Sequence, residues 1–213
     1  MKKVLLLLLL MVVVLTGCGK EGEAERESRV PDVQSTLEEA QEGRVDAGQG
    51  VVGDAPETTD GSGTSNAYIL TFEATNLEGE TVTEDCFADS KLTMINVWAT
   101  YCNPCLMEMP DLGMIAESYD SEEFQLIGII SDVSEEAAEE DITYAKELVA
   151  QTGATYPHLL LSESLFHNLV GAVEVVPTTF FVNQQGEVLG YAVGANSKEG
   201  WEEIIHEILA QME

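Results

Sequence analysis

The stretch WATYCNPC, residues 98–105, sets Cys102 and Cys105 three positions apart with Pro104 between them. In front of it, LTMINVWAT (92–100) is a continuous apolar run of β type, the pattern of a strand buried on both faces. Behind it, from Asn103 to about Tyr119, Leu106, Met109, Leu112 and Ile115 recur at three-residue spacings, which predicts a helix. The first cysteine therefore follows a strand and opens a helix.

Two thiols so placed can hold a metal, staple the fold or exchange electrons. A structural zinc site needs four nitrogen or sulfur ligands, usually from a second CxxC or a close histidine pair. Here the remaining cysteines are Cys18 and Cys86, and His158, His167 and His206 are scattered, which disfavours metal. A disulfide over so short a loop removes little chain entropy and is a weak staple. Electron exchange, by contrast, uses the placement itself. The free N–H groups and dipole of a helix N-terminus favour a thiolate, moving a thiol from ~8.5 into the range of about 3.5–7.5. Cys102 is then the nucleophile toward a disulfide. Cys105, one helical turn on and more shielded, resolves the mixed disulfide. Pro104 lacks an N–H, which the first helical turn tolerates.

The flanking sequence supplies the rest of a domain. AYILTFEATNLEGETVT (67–83) predicts a β-hairpin turning at Gly79, and DCFADSK (85–91) a short helical or turn segment. FQLIGII (124–130) predicts a second buried strand, and EEAAEEDITYAKELVAQTG (135–153) an amphipathic helix ended by Gly153. HLLLS (158–162) reads as a short strand and SLFHNLVGA (164–172) as a short helix. TTFFVN (178–183) and EVLGYAVG (187–194) form a hairpin around QQG, and SKEGWEEIIHEILAQM (197–212) a last helix with Trp201, Ile204, Ile205 and Ile208 on one face. This order predicts an α/β fold: a mixed sheet, parallel within its βαβ part and antiparallel at its final hairpin, with helices on both sides.

WATYCNPCLMEMPDL (98–112) resembles the active-site signature of thioredoxin-fold proteins, in particular the membrane-tethered TlpA/ResA-like thiol–disulfide oxidoreductases, grouped with the AhpC/TSA and redoxin families. The resemblance spans about residues 67–213 and implies a thioredoxin-like fold with an N-terminal hairpin and an inserted helix. It implies a cis-proline facing the cysteines, matched by Pro177 in VVPTTFF, with the Val176 backbone offered to a bound substrate chain. It also implies substrate contacts for Trp98, Tyr101 and Thr178. Glu108, three residues after Cys105, matches a glutamate linked in that family to proton handling at the buried cysteine; the alternative is a solvated glutamate. A carboxylate of raised pKa is suited to that task. Pro110 is expected to kink the helix. The catalytic set implied is thus Cys102, Cys105, Glu108 and Pro177, with no cofactor beyond the redox-active Cys102–Cys105 disulfide. Cys86 reads as a small buried side chain.

The N-terminus sets the compartment. Lys2 and Lys3 precede an apolar run from Val4 to Leu15, too short to span a membrane but suited to a signal peptide. The run ends in LTGC, which resembles a bacterial lipobox and implies a lipid on Cys18. Residues 1–17 are then a lipoprotein signal peptide, 18–66 a lipidated N-terminus and disordered acidic linker, and 67–213 the thioredoxin-like domain. The linker has no aromatic residue and too little apolar surface to offset ordering entropy. The whole chain carries 9 basic and 39 acidic residues, net −30, which disfavours nucleic acid as a partner.

The leading expectation is a lipid-anchored, extracytoplasmic thiol–disulfide oxidoreductase, acting on protein disulfides or dithiols as a monomer. If it is a reductase, the resemblance implies a CcdA/DsbD-like membrane donor, with apocytochromes or other exported proteins as clients. A thiol peroxidase is the alternative, weakened because Thr100 precedes Cys102 by two residues rather than three and no arginine follows Arg44. A non-enzymatic surface lipoprotein is the third reading.

Overall fold

The structure, a computed structural model, describes residues 51–54, 58–59, 65–66 and 68–212. The expected signal peptide, the expected lipidation at Cys18 and the expected linker up to residue 50 fall outside the described residues. The described part belongs to one compact unit, Asp32–Glu213.

In chain order the elements are β1 (Val51–Asp54), β2 (Thr58–Thr59), β3 (Ser65–Asn66), β4 (Glu73–Thr75), β5 (Thr81–Thr83) and a 3₁₀ turn (Glu84–Asp89). Then come β6 (Leu92–Trp98), α1 (Asn103–Ser118), β7 (Phe124–Ser134), α2 (Glu139–Thr152), β8 (His158–Leu161) and α3 (Glu163–Asn168). A second 3₁₀ turn (Val170–Ala172), β9 (Thr178–Asn183), β10 (Val188–Val193) and α4 (Lys198–Gln211) complete the chain. One six-stranded sheet runs in the order β1-β10-β9-β6-β7-β8. β6, β7 and β8 are parallel, while β9 and β10 are antiparallel. This is the mixed sheet of a thioredoxin-like fold. The N-terminal hairpin β4–β5 is present as a separate two-stranded sheet, and α2 is the inserted helix.

The uninterrupted apolar run of β6 is buried at every position because its alternate side chains enter two cores. Leu92, Met94 and Trp98 pack with Met109, Leu112 and Ile115 of α1 and with Trp201 and Ile205 of α4. Ile95 and Val97 point the other way, into a core with Leu70, Phe72, Phe87, Leu165 and Leu169. The hairpin and the segments around α3 thus cover the face that α1, α2 and α4 leave open. Truncating any of the fully buried trio Met109, Leu112 and Ile115 to alanine removes about 2–5 kcal/mol of stability.

Two boundaries differ from the sequence reading. The helix expected from residue 135 begins at Glu139, because β7 runs on to Ser134 and a turn follows; Gly153 ends it in the left-handed conformation. Within the stretch read as linker, the structure places three short strands. The β-branched pair in β1 (VVGD) favours extended backbone, and β1 pairs antiparallel with the otherwise open edge of β10.

Candidate active site

The cysteines sit where β6 hands over to α1. The connecting loop is held by side chains rather than regular structure. Thr100 donates its N–H and its hydroxyl to the two carboxylate oxygens of Asp132, at 3.0 and 2.5 Å. Ser131 donates its hydroxyl to the Trp98 carbonyl at 2.9 Å. Both partners lie on β7, so the loop is tied to the strand beside it.

Cys102 is the N-cap of α1, with extended backbone, and its Sγ accepts the Cys105 N–H at 3.3 Å. That bond and the helix dipole stabilise negative charge on Cys102 sulfur when the pair is reduced. Cys102 and Cys105 form a disulfide with Cα atoms 5.3 Å apart. Cys102 keeps 6% of its surface exposed and Cys105 none, which matches an attacking and a shielded sulfur.

Opposite the pair, the Val176–Pro177 peptide bond is cis, as the resemblance to thioredoxin-fold proteins implies. The Val176 carbonyl lies 3.6 Å from Cys102 Sγ. This loop is braced from both sides: Thr178 donates its hydroxyl to the Val175 carbonyl at 2.7 Å, and Gly194 donates its N–H to the Pro177 carbonyl at 2.9 Å. Tyr101, beside Cys102, is 75% exposed and forms an open aromatic surface at the site.

Trp98 does not join that surface. It is wholly buried, so the substrate contact expected for it is corrected to a core role. Its Nε1–H donates to His158 Nδ1 at 3.1 Å, and His158 Nε2 donates to the Ala154 carbonyl at 2.9 Å. With one nitrogen accepting and the other donating, His158 is a neutral imidazole; burial pulls its pKa down to about 4. Gly128 makes this possible, since a Cβ there would stand 2.2 Å from His158 Nδ1. Thr178 is also buried, and its hydroxyl is engaged within its own loop, leaving Val176 and Tyr101 as the accessible members of the expected substrate set.

Glu108 is buried, not solvated. One oxygen accepts Asn96 Nδ2–H at 3.0 Å; the other accepts the Asn196 N–H at 3.1 Å and Trp201 Nε1–H at 3.3 Å. Burial raises its pKa to about 7, a larger effect than the three hydrogen bonds that oppose it. These donors come from β6, the loop before α4, and α4 itself. Only Asn96 left a trace in the sequence, as a polar residue inside an apolar strand. Cys86 is half-buried, and burial together with Asp89 pushes its thiol up to about 12, so it is not an activated nucleophile. A cavity of about 550 Å³ lies over β9 and β10, lined in part by Tyr68, Val173, Val175, Phe180 and Tyr191; neither cysteine borders it.

A CxxC disulfide at a helix start, facing a cis-proline on a thioredoxin-like sheet, defines a thiol–disulfide oxidoreductase. Residues 67–190 match the AhpC/TSA family, and the chain belongs to it. Among curated relatives, the thiol-disulfide oxidoreductase ResA of Halalkalibacterium halodurans is 27% identical over 138 residues, covering 64% of this chain and 72% of that protein. A thioredoxin-family thiol:disulfide interchange protein from Chlorobium tepidum shares the fold with a TM-score of 0.56 and 24% identity, covering 68% of this chain and 99% of that one. The exposed lipoprotein thioredoxin Etrx1 of Streptococcus pneumoniae does so with a TM-score of 0.50 and 20% identity, covering 64% and 98%.

Proposed function

We propose that this protein is a lipid-anchored reductase of protein disulfides outside the cytoplasmic membrane, with Cys102, Cys105, Glu108 and Pro177 as its working residues. The observation that carries this reading is the asymmetry of the pair. Cys102 is capped for thiolate and slightly exposed, while Cys105 is enclosed with an i+3 carboxylate whose pKa is about 7.

The reaction balances as follows. Cys102 thiolate attacks one sulfur of a client disulfide, forming a mixed disulfide and releasing the other client sulfur as a thiolate. Cys105 then yields its proton to the Glu108 carboxylate and attacks Cys102 Sγ. The Cys102–Cys105 disulfide forms, the second client thiolate leaves, and two electrons have passed to the client. A carboxylate near pKa 7 is part-ionised at neutral pH and suited to accept that proton. The Val176 backbone and Tyr101 flank Cys102 and supply the surface for an extended client segment. Reset requires two electrons from a dithiol donor, for which a CcdA/DsbD-like membrane protein fits the lipobox-like LTGC and its implied anchor at Cys18. Apocytochromes and other exported thiol proteins are the clients this reading favours.

The test is a trap. Cys105→Ala should accumulate client proteins in mixed disulfides on Cys102, and Cys102→Ser should abolish insulin-disulfide reduction. An empty trap in cells, or peroxide consumption exceeding disulfide reduction, overturns the reading in favour of a peroxidase. A potential for the pair at the oxidising end of the CxxC range, about −120 mV, overturns the direction of electron flow.

A further inference from the structure

We propose that Asn96 and Thr179 form a hydrogen-bond switch that turns over when Glu108 gains or loses its proton, coupling the carboxyl to the strand that follows cis-Pro177. This rests on the reading of Glu108 as a proton acceptor.

The geometry is specific. Asn96 Nδ2 sits between two oxygens, 3.0 Å from Glu108 Oε1 and 3.2 Å from Thr179 Oγ1. Its two N–H groups donate one to each. Asn96 Oδ1 is buried and has no partner. Asn96 and Thr179 are themselves fully buried. Around Glu108 every other polar contact is a donor as well: the Asn196 N–H and Trp201 Nε1–H.

This arrangement serves a carboxylate. A protonated Glu108 carries an O–H that needs an acceptor, and its three neighbours offer only N–H groups. Rotating the Asn96 amide by half a turn about Cβ–Cγ supplies the acceptor. Oδ1 then takes the place of Nδ2, accepting the Glu108 O–H from one side and the Thr179 O–H from the other. Thr179 changes from acceptor to donor by turning its hydroxyl. No proton is gained or lost by either residue; Glu108 alone titrates. Both states make two hydrogen bonds at this corner, but the rotation also carries the two Nδ2 N–H groups into the buried place of Oδ1, a desolvation cost that the bond from the Glu108 O–H must offset. Thr179 is on β9, two residues after cis-Pro177, so the changed bond reaches the strand that directly follows the Val176–Pro177 loop. The ionisable groups facing Glu108 are Asp111 on its own helix, Tyr156 ahead of β8, and Cys105 when reduced; Asp111 and the buried Tyr156 both interact with the Glu108 charge.

The experiment is a pH titration of the oxidised full-length protein by NMR, following the Glu108 carboxyl carbon and the Asn96 side-chain amide together. Both Asn96 amide protons are expected to move with the midpoint of Glu108, and to become insensitive to pH in Glu108→Gln. Asn96→Leu removes a charge-assisted bond to the carboxylate and is expected to raise the Glu108 midpoint by about one to two pH units. Thr179→Val leaves an orphaned N–H in the ionised state but only a spare lone pair in the protonated one, so it also raises the midpoint. Thr179→Ser restores it. An Asn96 amide that stays fixed while Glu108 titrates overturns the switch and leaves the proton-acceptor reading standing. A Glu108 that does not titrate between pH 5 and 9 overturns both.

Discussion

Replacing Glu108 by glutamine is the most informative single substitution for the energetics of the site. The folded protein holds this carboxyl at about 7 against 4.5 for an ordinary glutamate, because burial outweighs its three hydrogen bonds. Between those values the native state binds a proton that the unfolded chain has released. Native stability therefore falls as pH rises through this window. The difference of two and a half units corresponds to about 3 kcal/mol once pH exceeds 7, and to about 1 kcal/mol at pH 5. Glu108→Gln keeps the shape and one acceptor oxygen but cannot ionise. The oxidised variant should thus gain on the parent by about 2 kcal/mol between pH 5 and pH 8, measured by guanidinium unfolding with the disulfide intact. In the reduced protein the same variant should slow closure of the mixed disulfide without slowing the first attack by Cys102. A stability difference that does not change with pH would refute the assignment of a raised pKa to this carboxyl.

His158 should show the opposite sign. Its folded pKa of about 4 lies below the usual 6.5, so its contribution is present above pH 6.5 and is lost as pH falls toward 4, by up to about 3 kcal/mol. Comparing His158→Gln with the parent across pH 4–7 isolates that slope, which otherwise offsets the Glu108 slope where the two windows overlap. Gly128→Ala drives a methyl group against His158 and should cost at least about 1–3 kcal/mol, read as a lowered denaturant midpoint. Cys86, with its thiol raised to about 12, should react with iodoacetamide at pH 8 on the order of a thousandfold more slowly than an unperturbed cysteine. Peptide mapping after timed alkylation measures it.

What the chain spells locally, it determined locally. The WATYCNPC junction is legible because a β-type apolar run, two cysteines at helical spacing and a three-residue apolar repeat each act within a few residues. The same holds for the hairpins, for Gly153 at the end of α2 and for Pro177 before β9. The roles of individual side chains were decided by neighbours distant in sequence. Trp98 looks like part of the site because it adjoins it, yet strand alternation turns it into the core, where His158, sixty positions away, accepts its N–H. Glu108 could have been one more solvated acid in a chain with 39 of them. It became a buried carboxyl because α1, α4 and β6 close around it and bring the donors of Asn96, Asn196 and Trp201 to its two oxygens. Spacing along one helix fixes which residues share a face; only the packing of the other elements fixes whether that face is wet or dry, and a carboxyl's proton affinity depends on the latter.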